Sequence, residues 1–289
     1  MELSPAIQTA LFNAGFVLLY LLLFFLAKWV KDRLSPYDLD EQLTEYDNVA
    51  VSVSVAGYFL AVTAIFVGAV MPGEGAGNRP DPIWWEEYLA VAGYTLGGIV
   101  LLQLSRWLND KLILYRFEVN KEIIKDQNPG TGVVEGGAYL ASGLIIGGSV
   151  YGEGGGPVSA LVFYALGQLC LILFGLLYER ISPYSVHDEI ERDNTSAGLG
   201  FAGALIAIGI IIMRAVSGPF RGWVDDLTTL GLDVLVVFIY LLGVRFVFDK
   251  LVLRRSDLQT EIAQDQNLGA GLLEMVVAIS FAVVLFFAL

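Results

Sequence analysis

Two glutamates inside predicted membrane helices are the residues best placed to do chemistry. Glu135 and Glu274 each follow an asparagine, Asn128 and Asn267, by seven residues. At 1.5 Å per residue, each carboxyl lies roughly 10 Å inside its helix. A carboxylate is costly at that depth and is a candidate for carrying a proton or binding a cation. We therefore take Glu135 and Glu274 as a candidate ion or proton site, whose two copies could face each other.

Two arginines offer the alternative of a static structural role. Arg106 and Arg245 lie near the ends of the preceding helices, in the same hairpins and at a similar depth to Glu135 and Glu274. Permanent ion pairs Arg106–Glu135 and Arg245–Glu274 would hold the hairpins together without transporting an ion or a proton. The arginines could instead extend to the membrane interface.

A polar motif precedes four of the predicted helices. Each run ends in an asparagine, a favoured helix N-cap, although a direct ligand role stays open. The segments before them, 36–46, 117–125, 183–192 and 257–264, are either short helices at the interface or solvated connectors. The candidate residues of this cytoplasmic helix-start motif are Asp126, Asn128, Asp265, Asn267, Asn48 and Asn194. If the motif recruits a partner, substitution of Asp126 and Asp265 is expected to lose it.

Other chemistry lacks the residues that it needs. The chain has one cysteine, Cys170, and one histidine, His187, and it has no phosphate loop, nucleophile elbow or cluster of metal ligands. We expect no metal, no cofactor, no nucleic-acid partner and no enzymatic activity. Gln168, inside a helix, is interpreted as an interhelical hydrogen-bonding residue.

The elements that position these residues are membrane helices. The chain is 56% hydrophobic and 16% charged, with a mean hydropathy of +0.65, and a crossing takes about 20 apolar residues. The sequence predicts an all-α polytopic membrane protein with eight helices, at 7–30, 48–71, 86–108, 129–150, 157–178, 195–216, 227–248 and 268–289.

The basic residues predict the orientation of these helices. Of the 17 lysines and arginines, all but Arg79, Arg214 and Arg221 lie in or beside the connections after helices one, three, five and seven. Because such connections stay in the cytoplasm, both termini are expected outside the cytoplasm, in a bacterial inner membrane.

An internal repeat divides the chain into two halves. RWLNDKLIL and KEIIKDQNPGTGVVE in 106–135 match RFVFDKLVL and TEIAQDQNLGAGLLE in 245–274 at a constant offset. RLSPYDLDEQ, beginning at Arg33, matches RISPYSVHDE, beginning at Arg180. We infer a gene duplication, with repeats at 1–150 and 157–289 and a Gly-rich linker at 151–156. Because all four polar connections end in an asparagine, each repeat is interpreted as two related hairpins.

Composition also sorts the helices. Helices two, four and six are rich in small residues, which let membrane helices approach closely. The even-numbered helices are expected to form an inner cluster and the odd-numbered ones an outer layer, although GYTLG at 93–97 suggests that helix three also reaches the interior. Four helices per repeat make the two halves parallel.

The acidic EI-x-x-D-Q-N segment that enters a Gly-rich helix resembles the YjfL-like bacterial inner-membrane proteins, known as domain of unknown function 350. The residues that carry the resemblance are Glu122, Ile123, Asp126, Asn128, Gly130, Gly132 and Glu135, and again Glu261, Ile262, Asp265, Asn267, Gly269, Gly271 and Glu274. The first hairpin departs from it with Tyr-Asp-Asn, and the third lacks one residue. The resemblance implies a membrane protein that is a tandem fusion of two family domains, and it implies no settled activity.

Two functions remain open from the sequence. The first is an ion- or proton-linked channel or transporter with Glu135 and Glu274 at its centre. The second is a non-transporting scaffold that recruits a cytoplasmic protein partner or organises lipid. A polar pore between the even-numbered helices would favour transport, and a closed glycine-packed core would favour the scaffold. Besides the lipid bilayer, a homo-oligomeric partner is possible.

Overall fold

The computed structural model describes residues 4–71, 84–152, 155–247 and 256–288, and all the regular elements within them are helical. Eight of these helices have 21 or more residues: α1 (Pro5–Leu34), α3 (Val49–Val70), α4 (Trp84–Leu112), α6 (Pro129–Val150), α7 (Gly156–Ile181), α9 (Thr195–Val216), α10 (Trp223–Val247) and α11 (Leu268–Ala288). Seven helices in the described part are long and apolar enough to cross a membrane. The other long helix, α10, coincides with the predicted crossing at 227–248, so the count of eight crossings stays a prediction.

Short helices fill the connections before the four asparagines. They are α2 (Leu39–Thr44), α5 (Val119–Ile124), α8 (Val186–Glu191) and a π-helical segment, Gln259–Gln264. The interpretation of these connections as short helices is therefore confirmed. We call the side of the molecule that carries them the cap face.

The small-residue helices pack main chain against main chain. A methyl group added to Gly132 would overlap the backbone of Ala50, one added to Gly198 would overlap Gly130, and one added to Gly271 would overlap Ser196. Side chains would hold the helix axes further apart, so glycine at these positions sets the close approach. The helices α3, α6, α9 and α11 thus form a row, in which each packs mainly on its neighbours.

The remaining long helices cover the grooves of this row. α4 packs on α3 and α6, α7 packs on α6 and α9, α10 packs mainly on α9, and α1 packs on α3 and α4. The predicted inner cluster is therefore a row with two ends, and its last helix, α11, exposes a broad apolar face. The expected contact of helix three with the interior is confirmed, because α4 packs on α3 and α6 and Gly98 lies against Ile65 and Ile146. The glycines of GYTLG do not make this contact, because Gly93 and Gly97 face open space.

Candidate functional site: a buried charged cluster and a row of asparagine clasps

Glu135 belongs to α6, and its side chain lies against α3 and α4. Its side chain is buried, with 3% of the residue exposed. The Nε atom of Arg106 lies 3.2 Å from one carboxylate oxygen, and the hydroxyl of Ser54 donates to the other oxygen. The structure therefore places Arg106 against Glu135. An ion pair with both partners largely withdrawn from solvent is strongly destabilising when one partner is removed.

Lys31 joins the same cluster from α1. It is fully buried, and its ammonium group donates to the Tyr139 hydroxyl over 2.8 Å. The ammonium also lies 4.6 Å from the centroid of the Tyr139 ring, a cation–π distance. Asp110 supplies a second carboxylate, 3.8 Å from Arg106 Nε. Two positive and two negative side chains therefore balance one another in this cluster.

The space inside the cluster is small. A cavity of about 10 Å³ is bounded by Arg106, Asn109, Asp110, Leu114, Glu135, Ala138 and Tyr139. That volume is about enough for one water molecule, and it is too small for a hydrated ion. Tyr37 lies near the cluster, and burial together with the negative charge of Glu135 raises the pKa of Tyr37 to about 12. The Tyr37 phenol therefore stays neutral at physiological pH.

Glu274 has different surroundings. It lies on α11, packed over Gly200 of α9, and the Tyr178 hydroxyl donates to it over 2.9 Å. The side chain of Arg245, its predicted partner, lies outside the described part of the structure. Because α9 lies between α6 and α11 in the row, Glu135 and Glu274 do not face each other, contrary to the expectation from their matching positions.

The four asparagines of the helix-start motif cap the row helices. The side-chain oxygens of Asn48, Asn128 and Asn194 accept from the main-chain amide three residues later, over 3.2, 3.1 and 3.2 Å. Asn267 accepts in the same way from Gly269 and Ala270, over 3.0 and 3.3 Å. The capping interpretation is confirmed at all four positions.

The amide groups of three of these asparagines bind the next hairpin. Asn48 donates to the carbonyl of Ile123 over 3.0 Å, Asn128 donates to that of Ile190 over 2.6 Å, and Asn194 donates to that of Ile262 over 2.7 Å. We call these three contacts the asparagine clasps. Each clasp is fully buried at its asparagine.

A side chain of the same hairpin completes each clasp. The asparagine amide also donates to Gln42, Glu122 and Glu189, over 2.9, 3.2 and 2.8 Å. The Glu-Ile pair of the motif thus has two roles. Its glutamate accepts from the asparagine of its own hairpin, and its isoleucine carbonyl accepts from the hairpin before.

A residue in the left-handed conformation precedes each asparagine and orients it. The residue before it has a positive φ, at 47° for Asp47, 50° for Gln127, 63° for Asp193 and 49° for Gln266. That conformation is costly for residues other than glycine, and at all four turns the main-chain amide of the asparagine holds it by donating to the carbonyl of Gln42, Glu122, Glu189 or Glu261. The third connection, although one residue shorter, makes the same turn.

The acids of these turns point away from the clasps. Asp47, Asp126, Asp193 and Asp265 are all exposed, and Asp126 accepts from Lys121 over 3.0 Å. Each of the four turns therefore presents an exposed carboxylate next to its capping asparagine, which is buried in the first three turns and exposed in the fourth. Asp188 adds an exposed acid on α8, and a hydrogen bond from Ser185, together with the charge of Arg116, lowers the pKa of its carboxyl.

Polar contacts that the sequence did not pair also join the two halves. Gln168 donates to Asn109 over 2.7 Å, Asn109 donates to Ser142 over 3.1 Å, and Ser142 donates to Gln168 over 3.1 Å. His187 reaches the carbonyl of Ile113 over 2.6 Å. Among the residues that the structure describes, no group of three histidine, cysteine, aspartate or glutamate side chains could hold a metal ion.

The chain matches one family twice. Residues 7–150 and 154–289 each match the family described as Domain of Unknown Function (DUF350). The UPF0719 transmembrane protein of Aquifex aeolicus (strain VF5) is 24% identical over 239 residues, 81% of this chain and 84% of that protein. The UPF0719 transmembrane protein YshE of Bacillus subtilis (strain 168) is 25% identical over 127 residues, 44% of this chain and 90% of that protein. No solved structure matches.

Proposed function

Because the chain belongs to the DUF350 family, whose description assigns no activity, we propose its function from the site: a non-transporting scaffold that presents a fixed acidic surface to a cytoplasmic protein with a basic surface. It is a multi-pass membrane protein with two tandem family domains. The observation that carries the proposal is the row of clasps, which fixes the four exposed acidic turns in a line relative to one another.

Charge and rigidity support this function together. The clasps lock Asp47, Asp126, Asp193 and Asp265 to neighbouring helices that touch through their backbones. A preorganised surface loses little conformational entropy when a partner binds. Carboxylates at fixed spacing attract a basic partner and suppress acidic ones. The net charge of the chain, −13, is negative as well, like that of the exposed turns.

The core supports a structural role more than a conducting one. Three successive pairs of row helices are in glycine-mediated backbone contact, which closes the space between the two helices of each pair at these contacts. The cavity beside Glu135 holds about one water molecule. We assign no enzymatic activity.

The proposed topology places the cap face in the cytoplasm of a bacterial inner membrane. Eight crossings, two parallel halves and both termini outside complete it, as the distribution of lysine and arginine favours. A cysteine at Lys121 should react with an impermeant thiol reagent only from the cytoplasmic side, and one at Arg221 only from the outside. The opposite labelling would reverse the topology.

Crosslinking in native membranes followed by affinity purification tests the scaffold. The variant D126N/D265N should lose a partner that wild type retains, and added salt should weaken the same capture, because exposed charges are screened. The control is Asp225→Asn, which removes an exposed carboxylate near the first turn of α10, away from the cap face. Identical recovery with wild type and D126N/D265N would refute the proposal.

A second candidate function is ion- or proton-linked transport through the Glu135 cluster. It is favoured by one observation: Arg106, Asp110 and Glu135 line a water-sized cavity, and Lys31 donates to Tyr139, which also lines it. Purified protein in liposomes would be assayed for proton, cation and anion flux. Flux that Glu135→Gln abolishes would establish transport and overturn the non-transporting scaffold, whereas no flux in wild type would reject this candidate.

A further inference from the structure

The row of helices stops at α11 with part of its packing surface unused. Gly269 occupies the position at which Ala50, Gly130 and Ser196 receive the next helix, and it is exposed. An added side chain at Gly269 would meet only the oxygen of its own Asn267. The three earlier positions are all buried under a glycine of the following helix.

Asn267 makes the same bond within its own hairpin as the three asparagines that form clasps. Its amide donates to Glu261 over 2.7 Å, as the other three donate to Gln42, Glu122 and Glu189. Within the described residues, no carbonyl of another hairpin accepts from it. Asn267 is exposed, whereas the three asparagines that form clasps are fully buried.

The first row helix has the complementary surface. Ser52 and Ala56 of α3 occupy the positions of Gly132 and Gly136 on α6, and both are small and exposed. The carbonyl of Leu43 corresponds to those of Ile123, Ile190 and Ile262, and within the described residues no asparagine of another hairpin donates to it. Within the described residues, the α11 end therefore has an asparagine amide that reaches no carbonyl of another hairpin, and the α3 end has a carbonyl that no such asparagine reaches.

We propose that a second copy of this chain docks head to tail, with its α3 on α11 of the first copy. Asn267 of one copy then donates to the Leu43 carbonyl of the next, and Ser52 lies over Gly269. The interface continues the three inside the chain, and it stands whether or not the protein is a scaffold. A head-to-tail contact closes into a ring or extends as a filament.

Side-chain size sets the spacing at this interface. Leu273 and Val276 of α11, each 50% exposed, replace the Ser54 and Gly57 of α3. They would fill the hollows beside Ser52 and Ala56, so the helices meet through side chains at a wider separation. α1 of the second copy would cover the new groove, as α4 covers the groove between α3 and α6.

Cysteine crosslinking of the full chain in membranes tests the proposal. In a Cys170→Ala background, chains with Ser52→Cys are mixed with chains with Gly269→Cys by co-expression. The mixture should form a covalent dimer, while either variant alone should not. A chain carrying both substitutions should form a ladder of oligomers or a single ring size.

Three controls make each outcome decisive. Leu104→Cys with Leu173→Cys are exposed positions on α4 and α7, outside this contact, and they should give no dimer. An intrachain pair, Lys28→Cys with Asp40→Cys, replaces side chains whose charged ends lie 3.0 Å apart, and a short bifunctional thiol reagent, applied equally to the Ser52–Gly269 pair, confirms that the thiols react. Adding Asn267→Ala should reduce the Ser52–Gly269 dimer several-fold. If that pair gives no dimer while the intrachain control reacts, or if Gly269→Cys pairs equally well with itself, the head-to-tail interface is wrong.

Discussion

Asn128→Ala removes one clasp and should lower the free energy of unfolding by about 2–4 kcal/mol. The side chain caps α6, and losing such a cap costs about 1 kcal/mol. The Ile190 carbonyl, which accepts from Asn128 over 2.6 Å, keeps its bond from the Asp193 amide, so losing this hydrogen bond costs about 0.5–1.5 kcal/mol. The hydrogen bond to the Glu122 carboxylate contributes about 1.5–3 kcal/mol. Since neighbouring contributions are not fully additive, the total lies below their sum.

Asn267→Ala is the matched control for this experiment. Asn267 caps α11 and binds Glu261 in the same way, but it is exposed and, within the described part of the chain, reaches no carbonyl of another hairpin. Its loss should cost about 1–2 kcal/mol in monomeric protein, for the cap and for a carboxylate bond that solvent weakens. The assay is reversible unfolding in detergent micelles at a dilution that keeps the protein monomeric. Equal destabilisation by the two substitutions would refute the idea that the clasp, beyond the cap, holds the hairpins together.

Three further predictions concern the ion pair, the glycine contacts and the left-handed turns. Arg106→Met or Glu135→Gln alone should each destabilise by about 3–5 kcal/mol, and the double variant should cost clearly less than their sum, because no charge then lacks its partner; additive losses in a double-mutant cycle would contradict the pairing. Gly132→Ala should push α3 and α6 apart and lower the thermal unfolding temperature, whereas Gly93→Ala, with open space around it, should leave it unchanged or higher; equal effects would argue against backbone contact. Gln127→Gly should stabilise by up to about 1 kcal/mol and Gln127→Val should destabilise, because φ is 50° there; chemical unfolding of the two variants gives the sign, and the reverse order would contradict the turn.

Local sequence information identified the helices and their caps. The predicted crossings 129–150 and 195–216 are the helices Pro129–Val150 and Thr195–Val216, because apolar runs and N-caps act on residues close together in the chain. The same holds for Asn128, whose capping bond joins residues three apart. The arginine partner of Glu135 was also among the predicted alternatives, because both residues belong to one hairpin.

Long-range partners required the tertiary structure. The clasp from Asn48 reaches a carbonyl 75 residues away, and main-chain carbonyls carry no sequence signal that could reveal them as acceptors. Lys31 comes to Tyr139 across 108 residues, and the sequence offered it only as one of many basic residues near a membrane surface. The repeats likewise suggested that Glu135 and Glu274 could meet.

The order in which the helices pack keeps Glu135 and Glu274 apart. Matching sequence positions imply matching places within a hairpin, and they do not tell which hairpins become neighbours. Because α9 packs between α6 and α11, the two glutamates lie at different junctions of the row, one beside Arg106 and the other beside Tyr178. The sequence by itself determined the units of this protein, through local hydrophobicity and capping. Only the tertiary structure decided their arrangement as a row with two unequal ends, through glycine contacts and clasps that join distant hairpins.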